Sequence, residues 1–179
     1  MPLDFGLLSM TELRTRPGEI LDRVANNGEA FVIESNSRRK ACLVPLSFFF
    51  PDVSPARISA EMQELADRGE EPRTTFTVGR ELAFRFDANL DDNTTVEILI
   101  LLPHGYPSSC PKVYANPISE EAPHRWADGA LCLYGVMTGW NPGKHTVLTT
   151  LNLTRQWLKH YDTWLKCHEW PTPENLIYE

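Results

Sequence analysis

The chain opens with two short stretches of helical periodicity, each bounded by capping residues. Ser9 precedes a pattern with Leu13 on its apolar side, and Glu12 stands at capping-box spacing from Ser9. Pro17-Gly18 breaks this first helix, and Pro17 also suits the first turn of a second, Pro17 to Ala25. Ile20, Leu21 and Val24 form its apolar stripe, and Asn26-Asn27-Gly28 ends it. The pattern then changes to β-rich runs. Ala30–Ser35 and Ala41–Leu46 are separated by the polar segment Asn36–Lys40, which predicts a hairpin. The front of the chain therefore reads helix, helix, hairpin, and Phe48-Phe49-Phe50-Pro51 closes it.

A second set of elements follows. Ser54 is an N-cap candidate, Pro55 a first helical residue, and Ala56–Arg68 a helix with Ile58, Met62 and Leu65 on one side. Gly69 to Pro72 stops it. Thr74–Val78, Glu81–Phe86 and Thr94–Leu102 are rich in Thr, Val, Ile and Phe, with turns at Val78-Gly79 and Asn89–Asn93, which predicts an antiparallel meander. Pro103 to Gly143 shows no regular period and is dominated by Pro, Gly, His and aromatics. Structureless stretches of that length inside a domain are usually functional. Thr146–Leu165 is helical again, with Leu148, Leu151, Trp157 and Leu158 apolar, and Glu169-Trp170-Pro171 follows. The fold class is α+β in two units, 1–50 and 51–179.

Composition narrows the function classes. Of 179 residues, 42% are hydrophobic and 23% charged, so the chain can bury a core. No apolar run nears the roughly 20 residues of a membrane span. No basic segment precedes the first apolar stretch, so no signal peptide and a cytoplasmic location are expected. The net charge is −7, which disfavours nucleic acid as the default partner. Cys42, Cys110, Cys132 and Cys167 form no C-x-x-C pair, and His160, Cys167 and His168 match no zinc spacing, so no metal is expected. In a reducing compartment disulfides are rare, and the sequons at Asn93 and Asn152 carry no meaning. Neither a P-loop nor a Rossmann glycine pattern is present, so no nucleotide cofactor is expected.

Three pieces of the irregular region line up. They are Leu101-Leu102-Pro103-His104-Gly105-Tyr106-Pro107 with Cys110-Pro111-Lys112-Val113; Pro123-His124 with Asp128-Gly129-Ala130-Leu131-Cys132-Leu133; and Trp140-Asn141-Pro142, beginning eight residues after Cys132. In order and spacing they resemble the ubiquitin-conjugating enzymes over residues 54–170. That resemblance implies a helix, a four-stranded antiparallel meander, an irregular active-site loop and C-terminal helices. It also implies that Cys132 is the nucleophile. Gly129 would allow the tight turn before it, and Trp140, Asn141 and Pro142, with Tyr106, Pro107 and Pro111, would scaffold the loop. Cys42, Cys110 and Cys167 would be inert. The family's His-Pro-Asn is here Ala122-Pro123-His124, which puts His124 where the family has an asparagine proposed to stabilise an oxyanion. Histidine can also donate a hydrogen bond there, and near neutral pH it can accept a proton. This substitution and the Trp-Pro tail resemble the bacterial branch of the family, found in ubiquitin-like conjugation and in anti-phage signalling operons.

The chemistry suits these residue types. Acyl exchange between thioesters needs a group that both attacks and leaves, and a thiolate does both. Only roughly 3% of an ordinary cysteine is thiolate at pH 7, which an activated donor tolerates. Asp128, His124 and, last, Asp162 are candidates for steering or deprotonating the attacking amine. The donor would be the C-terminus of a ubiquitin-like protein or of a nucleotidyltransferase. A separate ATP-dependent activating enzyme is a further expected partner, because the chain shows no ATP site of its own.

Residues 9–50 resemble the N-terminal domain of prevent-host-death antitoxins. The resemblance rests on Met10-Thr11-Glu12-Leu13-Arg14, Pro17-Gly18-Glu19-Ile20-Leu21-Asp22-Arg23-Val24, a Gly-Glu-x-Phe-Val-Ile strand, Arg38-Arg39, and Ala-Cys-Leu-Val-Pro-Leu. It implies homodimerisation and, as the lesser expectation, DNA contacts by Arg14, Arg16, Arg38 and Arg39, with Lys40 beside them. A unit of about forty residues buries little surface alone, which also favours a dimer. The alternative to an acyl-transferring enzyme is therefore an antitoxin-like regulator whose second unit is a non-catalytic scaffold.

Overall fold

The structure is a computed structural model and describes residues 4–48, 54–77, 79, 81–134 and 139–171. The chain divides into two compact units, Met1–Pro55 and Ala56–Glu179.

The first unit is a three-stranded sheet in the order β1-β2-β3, carrying two helices. Ser9 caps α1 (Met10–Thr15) as its spacing predicts. The Ser9 hydroxyl accepts the Glu12 amide, and the Glu12 carboxylate accepts the Ser9 amide. Pro17 begins α2 (Pro17–Asn27), and Gly28 ends it at a left-handed φ of 70°. Strands β2 (Ala30–Ser35) and β3 (Arg38–Leu43) pair antiparallel. Asn36 and Ser37, at φ 52° and 56°, make the two-residue turn whose twist suits a hairpin.

Three expectations change here. The unit is more than two helices and a hairpin, because β1 (Phe5–Ser9) pairs parallel with β2. Its residues do not alternate in polarity, and only Leu8 is buried, so no local period announces it. The turn is tighter than Asn36–Lys40, which moves Arg38, Arg39 and Lys40 into the exposed strand β3. Leu21 is 53% exposed and not part of the core stripe. The core comprises Leu8, Ile20, Val24, Phe31 and Ile33, against which Met10, Leu13 and Leu43 pack. The closing segment Phe48–Pro51 lies outside the described residues from position 49 onward.

The second unit begins with α3 (Pro55–Asp67), followed by β4 (Arg73–Phe76), β5 (Leu82–Asn89), β6 (Thr95–Leu102) and β7 (Lys112–Asn116). The strands form one antiparallel sheet in sequence order. Along β6 the residues Val96, Ile98, Ile100 and Leu102 are buried and their neighbours are not, the two-residue period of a strand with one inner face. Helix α4 (Val147–Cys167) packs against β6 and buries Val147, Leu151, Trp157, Leu158 and Tyr161 among others.

The differences here are equally local. Val78 lies outside the described residues, and the first strand spans Arg73–Phe76. Strand β7 stands inside the stretch that shows no period. It is five residues long and directly preceded by Pro111 and followed by Pro117, too short to display alternation. One C-terminal helix, not several, is found among the described residues. On α3, Ile58 and Leu65 are buried as expected, but Met62 is 45% exposed and Glu61, at 2%, takes the inward place. Among the described residues no helix is long and apolar enough to cross a membrane.

Candidate active site

Residues 124–132 form a tight hairpin that carries the candidate nucleophile. The Trp126 amide donates to the Ala130 carbonyl at 2.8 Å, and the Gly129 amide donates to the Trp126 carbonyl at 2.9 Å. Arg125 and Leu131 bridge antiparallel, and the Cys132 amide donates to the His124 carbonyl at 2.9 Å. The register therefore sets Cys132 directly opposite His124. Gly129 closes the turn at φ 84°, where a side chain is strained, and an added Cβ would meet the Arg125 guanidinium at 3.2 Å.

The hairpin is pinned on two sides. The Leu131 amide donates to the Val113 carbonyl of β7 at 2.8 Å. From α4, the Trp157 indole Nε1 donates to the His124 carbonyl at 3.2 Å. Arg125 donates to the Ser119 carbonyl at 2.7 Å and, more weakly, to the Gly129 carbonyl at 3.4 Å.

Cys132 is half-buried, and among the described residues its sulfur makes no hydrogen bond. Burial pushes its thiol up from the ordinary cysteine range, and no cation among the described residues lowers it. At neutral pH it is a thiol, suited to exchange with an activated acyl donor and not to unassisted attack. His124 sits at φ 56°, a left-handed conformation uncommon for a residue with a side chain. Its ring packs on Trp170 with centroids 5.0 Å apart, and among the described residues its ring nitrogens make no hydrogen bond. They are free to meet a reacting group.

Asp128 is occupied. Its carboxylate accepts the Lys112 ammonium at 2.7 Å and the Ala130 amide at 3.1 Å. The Lys112 contact, and after it the Ala130 amide, hold its carboxyl below the usual carboxylate range, which makes it a weak base. Asp162 accepts the Asp91 amide at 3.2 Å, in the turn between β5 and β6.

Trp140, Asn141 and Pro142 form a loop with its own fastening. The Trp140 indole donates to the Pro107 carbonyl at 2.6 Å and meets the Tyr134 ring edge-on at 5.3 Å. Asn141 accepts the Gly143 amide through its side chain, and its own amide donates to His145 Nδ1 at 3.0 Å. Arg57 donates to the carbonyls of Pro142, at 3.2 Å, and His145, at 2.8 Å. Behind these contacts lies Glu61. It accepts Arg57 Nε at 2.7 Å, the Tyr106 hydroxyl, and the Val147 amide at 2.7 Å. One buried carboxylate thus ties α3, the Tyr106 loop and the first turn of α4, where an anion also suits the helix dipole.

A cavity of about 620 Å³ opens between the two loops, lined by Cys110, Lys112, Trp126, Leu131, Leu133 and Trp140 among others. Cys132 does not line it, although both its strand neighbours do. Burial pushes the Cys110 thiol up to about 11, so this second cysteine stays protonated. Trp126, 59% exposed, stands at the rim.

The candidates for DNA contact are spread over two elements. Arg14 lies on α1 and Arg16 at its junction with α2, where Arg16 is near Glu12 and Glu19 at 3.9 and 3.5 Å. Arg38 and Arg39 lie on β3, with β2 between that strand and β1. Among the described residues, no group of three or more His, Cys, Asp or Glu side chains could hold a metal ion.

Sequence reasoning passed over several residues that shape this site. Glu61 and Arg57 sit at helical i, i+4 spacing, a signal that the apolar stripe of α3 obscured. Trp157 reads as a core residue and is also a hydrogen-bond donor to the hairpin. Trp170, read from the sequence only as part of the tail, packs on His124 of the hairpin, and His160 packs on Trp170. A sequence model of the family described as Type II CBASS E2 protein matches residues 86–177, just over half of the chain. The search of curated proteins and the search of solved structures each gave no match.

Proposed function

Since the chain belongs to the Type II CBASS E2 protein family, with a ubiquitin-conjugation-like role in bacterial anti-phage defence, we propose that Cys132 is its acyl carrier. In this reading the Cys132 thiolate attacks an activated C-terminal carbonyl, the C–S bond forms, the bond to the donor's leaving group breaks, and the proton given up by the thiol passes to that leaving group, which leaves a thioester. An amine then attacks the same carbonyl, the C–N bond forms, the C–S bond breaks, and Cys132 departs as thiolate. The amine's proton passes to a nearby base. The family implies partners of the same pathway, a ubiquitin-like protein and an activating enzyme; the alternative donor is the C-terminus of a nucleotidyltransferase.

The observation that carries the reading is the hairpin register. It places one free thiol opposite one imidazole with free ring nitrogens, on a turn pinned to both β7 and α4. His124 is preferred to Asp128 as the proton acceptor, because Lys112 already neutralises Asp128. Asp162 ranks last, bound to the β5–β6 turn. The succession of α3, the four-stranded antiparallel sheet, the loops and α4 supports a ubiquitin-conjugating-enzyme fold, with Gly129, Trp140, Asn141 and Pro142 as its loop scaffold.

The test is to mix the protein with its operon partners and ATP. A higher-mass adduct that thiols release is expected. Cys132→Ala should abolish it, and Cys132→Ser should trap a thiol-resistant ester. An adduct that persists unchanged in Cys132→Ala would assign the carrier elsewhere.

For the first unit the reading is a dimerisation module. Leu7 is 67% exposed on β1 and pairs with Val32, which in turn pairs with the exposed Cys42, so an apolar row crosses the open sheet. Sedimentation of the full chain tests it: a monomer at micromolar concentration removes the dimer. DNA binding by Arg14, Arg16, Arg38 and Arg39 is tested by an operator shift assay, where unchanged binding after Arg38→Ala and Arg39→Ala would exclude these two residues.

A further inference from the structure

Trp170 lies where α4 has ended and the chain turns back. His168 caps α4 at a left-handed φ of 56°, its amide donating to the Trp164 carbonyl at 2.7 Å. The reversal brings the Trp170 indole against three rings. It faces His124 at 5.0 Å with an interplanar angle of 36°, and Trp157 at 5.1 Å and 54°. It meets His160 edge-on at 5.9 Å and 78°. Two histidines from different elements thus stand around one indole.

Each neighbour has a separate relation to the hairpin. Trp157 holds the His124 backbone through its carbonyl, and Cys132 shares that carbonyl. Neither touches the imidazole through a hydrogen bond. Among the described residues, the indole of Trp170 is the ring that packs on it. A left-handed non-glycine residue costs roughly 1 kcal/mol and persists only where its surroundings over-determine it. Here the carbonyl has two donors and the ring has one aromatic wall. His160, half-buried, is held below the ordinary histidine range, first by burial and then by the charge of His124. Burial thus makes His160 the weaker base.

We propose that Trp170 is a positioning residue, whose indole fixes the His124 imidazole so that a free ring nitrogen receives the proton of the amine attacking the Cys132 thioester. The proposal rests on the reading of Cys132 as acyl carrier and adds the residue that aims its base. The step balances: the amine nitrogen bonds to the carbonyl carbon, Cys132 leaves as thiolate, and the amine proton moves to His124 and then to solvent. Loading is exchange with an activated donor whose leaving group takes up the thiol proton, so the orientation of His124 acts on the amine attack and not on loading. Trp170 is therefore expected to affect discharge alone.

The experiment loads the full-length protein first and then follows discharge to an added amine over a range of amine concentrations. Trp170→Ala is expected to load like the wild type, to discharge about tenfold more slowly at saturating amine, and to keep the same KM for the amine. Trp170→Phe, which keeps a ring there, is expected to recover most of the rate. In parallel, the His124 ring protons of unloaded protein are expected upfield from the indole ring current, and to lose that shift in Trp170→Ala. Failure of the wild type to load at all would overturn the acyl-carrier reading and the proposal together. Normal loading with unchanged discharge in Trp170→Ala would overturn the proposal alone, as would a raised KM at unchanged maximal rate. An unshifted His124 ring in the wild type would remove the contact in solution and the proposal with it, whatever the kinetics.

Discussion

The two loops that line the groove beside Cys132 are held by different kinds of force. The Trp140 loop rests on buried and half-buried polar groups: the Glu61 carboxylate, the Arg57 guanidinium and the Tyr106 hydroxyl are bonded to one another, and the first two also to backbone. The His124–Cys132 hairpin rests on backbone pairing, on the Arg125 and Trp157 donors to its backbone and surroundings, and on one aromatic face, and the side chains of Cys132 and His124 make no hydrogen bonds among the described residues. The difference is instructive. A satisfied buried network rigidifies, and every member is costly to lose. A side chain that must exchange protons or acyl groups cannot be consumed in such a network. Rigid support is concentrated on one loop, and unpaired reactivity on the other.

The contrast is broken first at Glu61. Glu61→Ala takes the carboxylate from Arg57 and the Tyr106 hydroxyl and leaves the Val147 amide unpaired, and should cost about 3–5 kcal/mol of stability, read by denaturant unfolding. A loss well under 1 kcal/mol would show that the Trp140 loop does not depend on this carboxylate. At His124 the opposite balance is expected. His124→Gly suits the left-handed backbone and should change stability by no more than about 1 kcal/mol. Amine discharge should nevertheless fall by about 100-fold, as befits a proton acceptor. Equal losses of stability and rate would mean that the two loops are built alike.

The thiol gives an intermediate effect. Burial raises Cys132 above an ordinary cysteine, and only the thiolate attacks. Below its pKa the loading rate should rise about tenfold per pH unit, and the rise should continue past about 8.5, where an ordinary cysteine levels off. A plateau below pH 8 would indicate a cation that lowers the thiol. The smallest effect is expected at Lys112→Ala. The Lys112–Asp128 pair is exposed, so discharge should stay within about threefold of the wild type. A larger gain would mean that Asp128, once freed, is a base in its own right.

Much of this was legible in the sequence where the physics is local. The Ser9–Glu12 capping box, the proline at the start of α2 and the Val- and Ile-rich run of β6 each depend on residues a few positions apart. The motif spacings singled out Cys132, His124 and Gly129, and the hairpin brings them together. Strand β1 was not legible, and the fourth strand of the second sheet, β7, followed from the resemblance and not from a local pattern, because each is a five-residue strand whose partner lies beyond helices or a loop. Glu61 escaped notice because a helical period marks a face without saying whether a carboxylate on that face will find partners. Trp170 reaches His124 only through the reversal after α4, which no local pattern encodes.

The parallel pairing of β1 with β2 sets an order of assembly. A strand at positions 5–9 has no neighbour to bond until residues 30–34 exist, so its amides wait through two helices for their acceptors. During synthesis the earliest strand of the first sheet thus stays unpaired until both helices and β2 have been made. A fusion that straightens or crowds Phe5–Ser9 would be expected to leave Leu8 outside a core that Ile20, Val24, Phe31 and Ile33 must then close without it.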